Sequence, residues 1–224
     1  MRRLCAAVLL GALRIAFAQT EPAPARDGFV VGALRLVQPA EPEPLTERER
    51  FHQYLLNTIG PVPVFLEGAG AGLSQAVEIP SEWGQGASGY FHRFGNNLAY
   101  NGVRNTLTYA TSILFREDTR YFASGKEGTW PRVAHAIASA VMARDTDGRD
   151  RISISAIAGV AGAAAISRAW SPPNLQGGTN VARAMGITFA GQAGFNVFRE
   201  FVPDLIRRLQ RRERWSPYRA GVQP

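Results

Sequence analysis

Residues 151–170 read RISISAIAGVAGAAAISRAW, and no other stretch limits the possible folds so tightly. At about 100° per residue, Ile152, Ile154, Ile157, Val160 and Ile166 scatter around the whole circumference of a helix. A surface helix gathers its apolar residues on one stripe. A helix apolar all round is buried on every side, in a protein core or in lipid. Residues 152–167 span about 24 Å at ~1.5 Å per residue, short of a ~30 Å hydrocarbon core. Gly159, Gly162 and the alanines permit the close approach by which helices pack in membranes, and central helices of soluble bundles use small residues in the same way. The charged cuffs, Arg149-Asp150-Arg151 and Arg168, suit either setting. The expectation is that residues 152–167 have no wet side.

Around this segment the pattern predicts an all-α fold, a compact bundle of five to seven helices with Gly/Ala-rich packing behind a Pro-rich linker. Thr46 and Glu49 form a T-x-x-E capping box, after which Phe51, Tyr54, Leu55 and Ile59 repeat at helical spacing up to Gly60-Pro61. A second helix follows Pro63. Its Gly68, Gly70 and Gly72 each cost about 1 kcal/mol relative to alanine, which close approach of another helix would offset. Residues 78–89 are turn-like. A long helix follows from about Tyr90 to Phe115, with Asn96, Asn97, Asn101 and Asn105 mostly on one side. These amides could line a polar groove or tie helices together. The next helix runs from Trp130 to near Arg144, 145–150 is a turn, and the opening stretch comes after it. A closing helix spans about Thr179 to Phe201, and Pro203 restarts a short basic helix. No alternation is long enough to suggest a sheet.

The division expected is a signal peptide (1–18), a linker (19–45), a helical domain (46–214) and a tail (215–224). Arg2-Arg3, the apolar run Cys5–Leu13 and Ala16-Phe17-Ala18 fit a secretory signal peptide with a small-x-small cleavage site. Cleavage would remove Arg2, Arg3 and Arg14 from a formal charge of +7, and with them the single cysteine, Cys5. Disulfide and thiol chemistry would leave with it. The linker is rich in Pro, Ala and Glu, interrupted by FVVGALRLV (29–37), a short strand or docking segment.

Charges are sparse through the middle of the chain. Residues 60–115 hold only Glu67, Glu78, Glu82, Arg93 and Arg104, too few for an ordinary soluble surface. No run reaches the eighteen or so apolar residues of a confident span. A bundle that is at least membrane-associated fits both facts. At the C-terminus, Leu205, Ile206 and Leu209 make an apolar edge among Arg207, Arg208, Arg211, Arg212 and Arg214, with Trp215 and Tyr218 following. That combination suits an anionic membrane surface. The plain alternative is a solvated helix end whose arginines complement the helix dipole. Nucleic acid is not an expected partner of an exported chain, despite a pI near 10.3.

Catalytic signatures are missing. His52, His92 and His135 offer no i, i+3 or i+4 zinc pair, and a lone His135 on an apolar helix reads as a hydrogen-bonded core residue. DTDGRD (145–150) resembles a calcium loop but has Ala143, Asp150 and Ile154 where a ligand, an apolar residue and a bidentate glutamate belong. No nucleophile elbow, P-loop or dinucleotide fingerprint appears. No metal and no cofactor are expected.

Four segments resemble a family of uncharacterised exported bacterial proteins that carry E-W-G-Q-G, D-P-R-Y-F, A-G-I-S-N and K-E-F-W-P-D-I elements. Here they read Glu82-Trp83-Gly84-Gln85-Gly86, Asp118-Thr119-Arg120-Tyr121-Phe122, Ala164-Ala165-Ile166-Ser167-Arg168 and Arg199-Glu200-Phe201-Val202-Pro203-Asp204-Leu205. Order and spacing match over roughly residues 46–210, with Thr119, Arg168 and Val202 departing from the pattern. The resemblance implies export and supplies no mechanism. It makes Glu82, Trp83, Asp118, Arg120, Tyr121, Glu200 and Asp204 candidates for a functional surface, joined by His135. Each also has a plain role as an interhelical salt bridge or cap. The function expected is that of a non-enzymatic, membrane-associated envelope protein contacting lipid or an envelope partner, its oligomeric state left open. One rival is a hydrolase of an envelope lipid or glycan, using Asp118 or Glu82 with His135 or Arg120 in one pocket. The other is a scaffold without ligand.

Overall fold

A 30-residue helix with only two charged side chains, Gly86–Phe115, is the one on which three of the other helices assemble. The computed structural model describes residues 29–145 and 148–214. Over these residues the chain is an all-α bundle of seven helices: α1 (Phe29–Arg35), α2 (Glu47–Ile59), α3 (Pro61–Ala76), α4 (Gly86–Phe115), α5 (Thr129–Ala138), α6 (Ile154–Ile166) and α7 (Gly178–Arg214). Helices α2, α3 and α6 pack on α4. Helix α7 packs on α6 and carries α5 and α1 on its C-terminal half.

Local chemistry sets the helix ends. The Thr46 amide donates to Glu49 Oε2 at 2.8 Å and the Glu49 amide to Thr46 Oγ1 at 3.3 Å, the reciprocal box read from the sequence. Pro61 stands at the first turn of α3, where its missing N–H costs nothing. Ser153 caps α6 by accepting from the Ala156 amide at 2.9 Å. The asparagines of α4 are ties between helices. Asn105 Nδ2 donates to the Asn57 carbonyl at 2.7 Å, Asn101 Nδ2 to the Asn57 and Thr58 carbonyls at 3.3 Å, and Asn97 Nδ2 to the Glu67 carbonyl at 3.1 Å. Spacings of four residues put all three on the side facing α2 and α3, where Asn101 and Asn105 satisfy carbonyls at the end of α2 and Asn97 bonds one within α3.

Several boundaries differ from the sequence reading. Helix α5 stops at Ala138 rather than near Arg144, because Met142–Arg144 pairs antiparallel with Asp150–Ile152 in a short hairpin. Strands of three residues are too short to show alternation. Pro203 does not restart a helix: α7 runs through it unbroken. Val202 and Ile206, on either side of the proline, are buried together against Val31 of α1, which holds both halves of α7 to one neighbour. The interlude at 29–37 is thus a docking helix rather than a strand.

Of the two settings expected for 152–167, encirclement by the chain itself is not found. Ser155, Ala156, Gly159, Val160, Ala163 and Ala164 are buried, but Ile152, Ile154, Ile157 and Ile166 are exposed. Residue size decides which side is which. A Cβ on Gly159 would lie inside van der Waals contact of Thr108 Oγ1 and 2.9 Å from the Arg104 carbonyl oxygen, and one on Gly162 would strike Leu107. Only the small face fits against α4, so the branched isoleucines turn outward. The chain covers half of this helix and leaves an apolar half open.

That inversion extends to the whole bundle. Buried apolar residues are mostly alanine and valine, while Arg93, Glu117 and Glu200 head the wholly buried side chains by volume. The large apolar residues lie outside: Phe65 (74 % exposed), Leu73 (72 %), Phe91 (65 %), Leu114 (74 %) and Ile187 (64 %).

Candidate functional site

Four of the eight residues singled out by sequence meet around one guanidinium. Arg132, from α5, donates through Nε to Glu200 Oε1 at 3.0 Å, through NH1 to Asp204 Oδ2 at 2.7 Å and through NH2 to the Glu200 carbonyl at 2.6 Å. Tyr121 donates its hydroxyl to Glu200 Oε2 at 2.5 Å. Ser124 adds its hydroxyl on Oε1 at 2.6 Å and its amide on Oε2 at 3.1 Å. His135 Nε2 lies 3.2 Å from the Phe122 carbonyl, and its ring sits 6.1 Å from that of Tyr121. Spacing by four residues along α7 places Glu200 and Asp204 one turn apart, both within reach of Arg132.

Burial works to raise the Glu200 pKa, but the hydrogen bonds from Ser124, Tyr121 and Arg132 outweigh it and hold the carboxyl below its ordinary value. Burial and the adjoining carboxylate push the Tyr121 phenol up. Asp204 is held low by Arg132, and Arg207 also pairs with it. Arg199, over the Tyr121 ring at 5.4 Å, donates to the Val37 and Gln38 carbonyls just past α1. Burial lowers its pKa to about 10. Both Glu200 oxygens are therefore occupied by donors, and the group is ionised. Such a carboxylate clamps the 118–128 loop and α5 onto α7. It has neither the free lone pair nor the raised pKa that a general base or acid requires.

Asp118 and Arg120 form a separate pair. Arg120 grips Asp118 with Nε at 3.0 Å and NH2 at 2.7 Å and also reaches the Glu43 carbonyl at 2.8 Å. The Asp118 backbone exchanges hydrogen bonds with Arg144, extending the hairpin. The Arg120 and Arg144 guanidinium carbons lie 5.2 Å and 4.0 Å from the Phe122 ring centroid.

Glu82 and Trp83 belong to a third locality. Their loop folds over Arg93 of α4, whose guanidinium is buried. It donates to the carbonyls of Ile79 (2.9 Å), Pro80 (2.7 Å) and Gly84 (2.8 Å) and to Gln75 Oε1 (2.5 Å). All four of these acceptors are neutral, so the charge is held by oriented dipoles. Glu82 is exposed, while Trp83 lines a small cavity with Trp170.

Two buried centres escaped the sequence reading. Besides Arg93, Glu117 accepts from Ser153 Oγ (2.9 Å), the Ile154 amide (3.0 Å) and the Ser155 amide (3.0 Å), closing the N-terminus of α6. Burial raises its pKa, and these donors more than offset that, so it is held low. Neither centre leaves a local pattern, because the partners are distant in sequence or are backbone atoms. Its place as one of only two charges in a 30-residue helix was the available signal for Arg93.

The exterior of the bundle is the remaining candidate surface. No Asp, Glu, Lys or Arg on α3, α4 or α6 is exposed: Arg93 is buried and Glu67 and Arg104 are half-buried. Burial raises the Glu67 pKa and lowers that of Arg104. On α3, Phe65, Ala69 and Leu73 are exposed at successive fourth positions and continue into Val77. On α7, Gly186, Ile187, Ala190, Gly191, Gly194 and Phe198 face out, and a Cβ at any of these three glycines would meet nothing within 4 Å. No described helix is long and apolar enough to cross a membrane. Of the expected membrane-facing arginines, Arg207, Arg208 and Arg211 are exposed. The Arg212 side chain and Trp215 lie outside the described residues, as do Cys5 and the rest of the segment expected to be a signal peptide.

Among the described residues no group of His, Cys, Asp and Glu is arranged to hold a metal ion. No family model matches the chain, and no curated protein or solved structure matches it either.

Proposed function

We propose that this is an exported envelope protein of the resembled family that seats its uncharged waist in lipid and acts by contact rather than by catalysis. One observation carries the reading: small apolar residues share the interior with buried Arg93, Glu117 and Glu200, while large apolar side chains cover the outside. In water that arrangement forfeits the hydrophobic driving force, roughly 25 cal/mol for each Å² of apolar surface left wet. Exposed apolar surface on this scale marks an interaction surface. Lipid is favoured because the uncharged exposed residues are spread over α3, α4, α6 and much of α7 rather than confined to one helix. Helix α3 is about 24 Å long and α6 about 20 Å, so the waist enters lipid without a spanning helix. Arg207, Arg208 and Arg211 would meet anionic headgroups at its edge.

Catalysis by the named carboxylates has less support. Glu200 and Asp118 are engaged by their own arginines, and Glu82 lies with the Arg93 loop rather than with His135.

Flotation with vesicles tests the reading. The protein is expected to rise with neutral phosphatidylcholine vesicles and to stay with them in high salt, because apolar contact is not screened. Release by salt alone would place the contact on the arginines and overturn an apolar seat. No flotation with neutral or anionic vesicles, even at low salt, would remove the lipid role.

A further inference from the structure

Trp83 and Trp170 meet at a place that neither the ionic centres nor the apolar waist accounts for. Trp83 ends a single 3-10 turn, Ser81–Trp83, and Trp170 follows another, Ser167–Ala169, beyond α6. Together they line a cavity of about 230 Å³ with His92, Gly95, Asn96 and Ala99 of α4. Gly95 and Ala99 stand one turn apart and supply a floor almost free of side chain. A Cβ at Gly95 would meet nothing within 4 Å. The Trp170 indole N–H donates to Asn96 Oδ1 at 3.0 Å, which fixes that ring at the edge of the cavity. Among the described residues, neither the Trp83 indole N–H nor the His92 imidazole has a side-chain or backbone partner. The site thus has two indole side chains in its lining, one of them anchored, and two hydrogen-bonding groups without a protein partner.

We propose that this cleft binds one pyranose ring of a neutral glycan. A pyranose presents a flat patch of C–H groups on its face and hydroxyls around its edge. An indole face matches the first, and His92 with the Trp83 N–H matches the second. Small-molecule clefts commonly run from about 300 Å³ upward, and this smaller one limits the occupant to a single ring. A quaternary ammonium group is the other ligand that aromatic walls recognise. Here no carboxylate lines the cavity, so a cation would find no counter-charge there. The ligand is water-soluble, so its binding is independent of the lipid contact.

The test is a titration of the full chain with chitotriose and cellotriose, read by tryptophan fluorescence and by the indole N–H peaks in ¹H–¹⁵N spectra. The expected result is saturation with at least one of the two, with a Kd of about 1 mM. The indole peaks of Trp83 and Trp170 should move while that of Trp130 stays. Ala99→Leu fills the cavity from an exposed position and should abolish the response, and Trp83→Ala should weaken binding at least ~10-fold. Four results overturn the proposal: no peak movement up to roughly 50 mM of either sugar, movement confined to Trp130, a response untouched by a folded Ala99→Leu protein, or binding of phosphocholine alone.

Discussion

At Glu200 a buried carboxylate is matched donor for donor, and much of the lower half of the bundle hangs on it. Removing one member of a buried, hydrogen-bonded pair leaves the others uncompensated, a loss of about 3 kcal/mol. Glu200→Gln is accordingly expected to lower the urea midpoint by that equivalent. Glu117, Glu200 and Asp204 all have folded pKa values below their ordinary ones. Their stabilisation is therefore complete above the unfolded carboxylate range and lost as the pH falls through the lower folded values. The melting temperature should be flat from about pH 7 to 5 and drop below about pH 4. Glu200→Gln should show a shallower acid drop from a lower start, and an unchanged acid slope would remove Glu200 from the account. Arg93 holds three carbonyls of one loop, so Arg93→Met should strip hydrogen-exchange protection from residues 79–85 before any other part. Uniform loss of protection would mean that the loop does not depend on this guanidinium.

Among the helices, the glycines divide by what stands opposite them. Gly159 faces Thr108 and the Arg104 carbonyl with no room for a methyl group, whereas a Cβ at Gly102 would meet nothing within 4 Å. Gly159→Ala should therefore destabilise by about 2 kcal/mol through overpacking of α4 against α6. Gly102→Ala should stabilise by about 0.5–1 kcal/mol by helix propensity alone. Equal shifts of one sign in thermal melts would contradict this division. The sequence carried the helices wherever chemistry was local: the Thr46–Glu49 box, the Gly60-Pro61 stop and the asparagine row on α4 are legible residue by residue. It failed where the partner is remote. The hairpin at 142–152 exists because Asp118 pairs with Arg144 from another segment. The continuity of α7 through Pro203 rests on Val31, which is 171 positions before Val202 in the chain. Of the site, Tyr121, His135, Glu200 and Asp204 were named in advance, but Arg132 and Ser124, which complete their hydrogen bonding, carry no motif.

For the molecule as a whole, the informative error concerns α6. Its hydropathy is high all round, which implied burial on every side, but hydropathy is blind to size. Alanine and glycine face α4 because only they fit, and the isoleucines are left outside. The same sorting puts Arg93, Glu117, Glu200 and Asn101 inside and Phe65, Leu73, Phe91 and Leu114 outside. An average over each helix cancels these two faces, which is how a chain of moderate mean hydropathy, −0.11, presents an uncharged exterior on three helices. Spin labels placed on that exterior test it most directly. Single cysteines at Leu73, Leu114 and Ile187, in a Cys5→Ser background, with Asp150→Cys as a hairpin control, would be compared with and without phosphatidylcholine vesicles. With vesicles, the three waist labels should become accessible to oxygen and shielded from an aqueous nickel chelate, while the Asp150 label stays open to the chelate. Waist labels that remain as open to the chelate as the control, in protein mixed with vesicles, would contradict a lipid-seated waist.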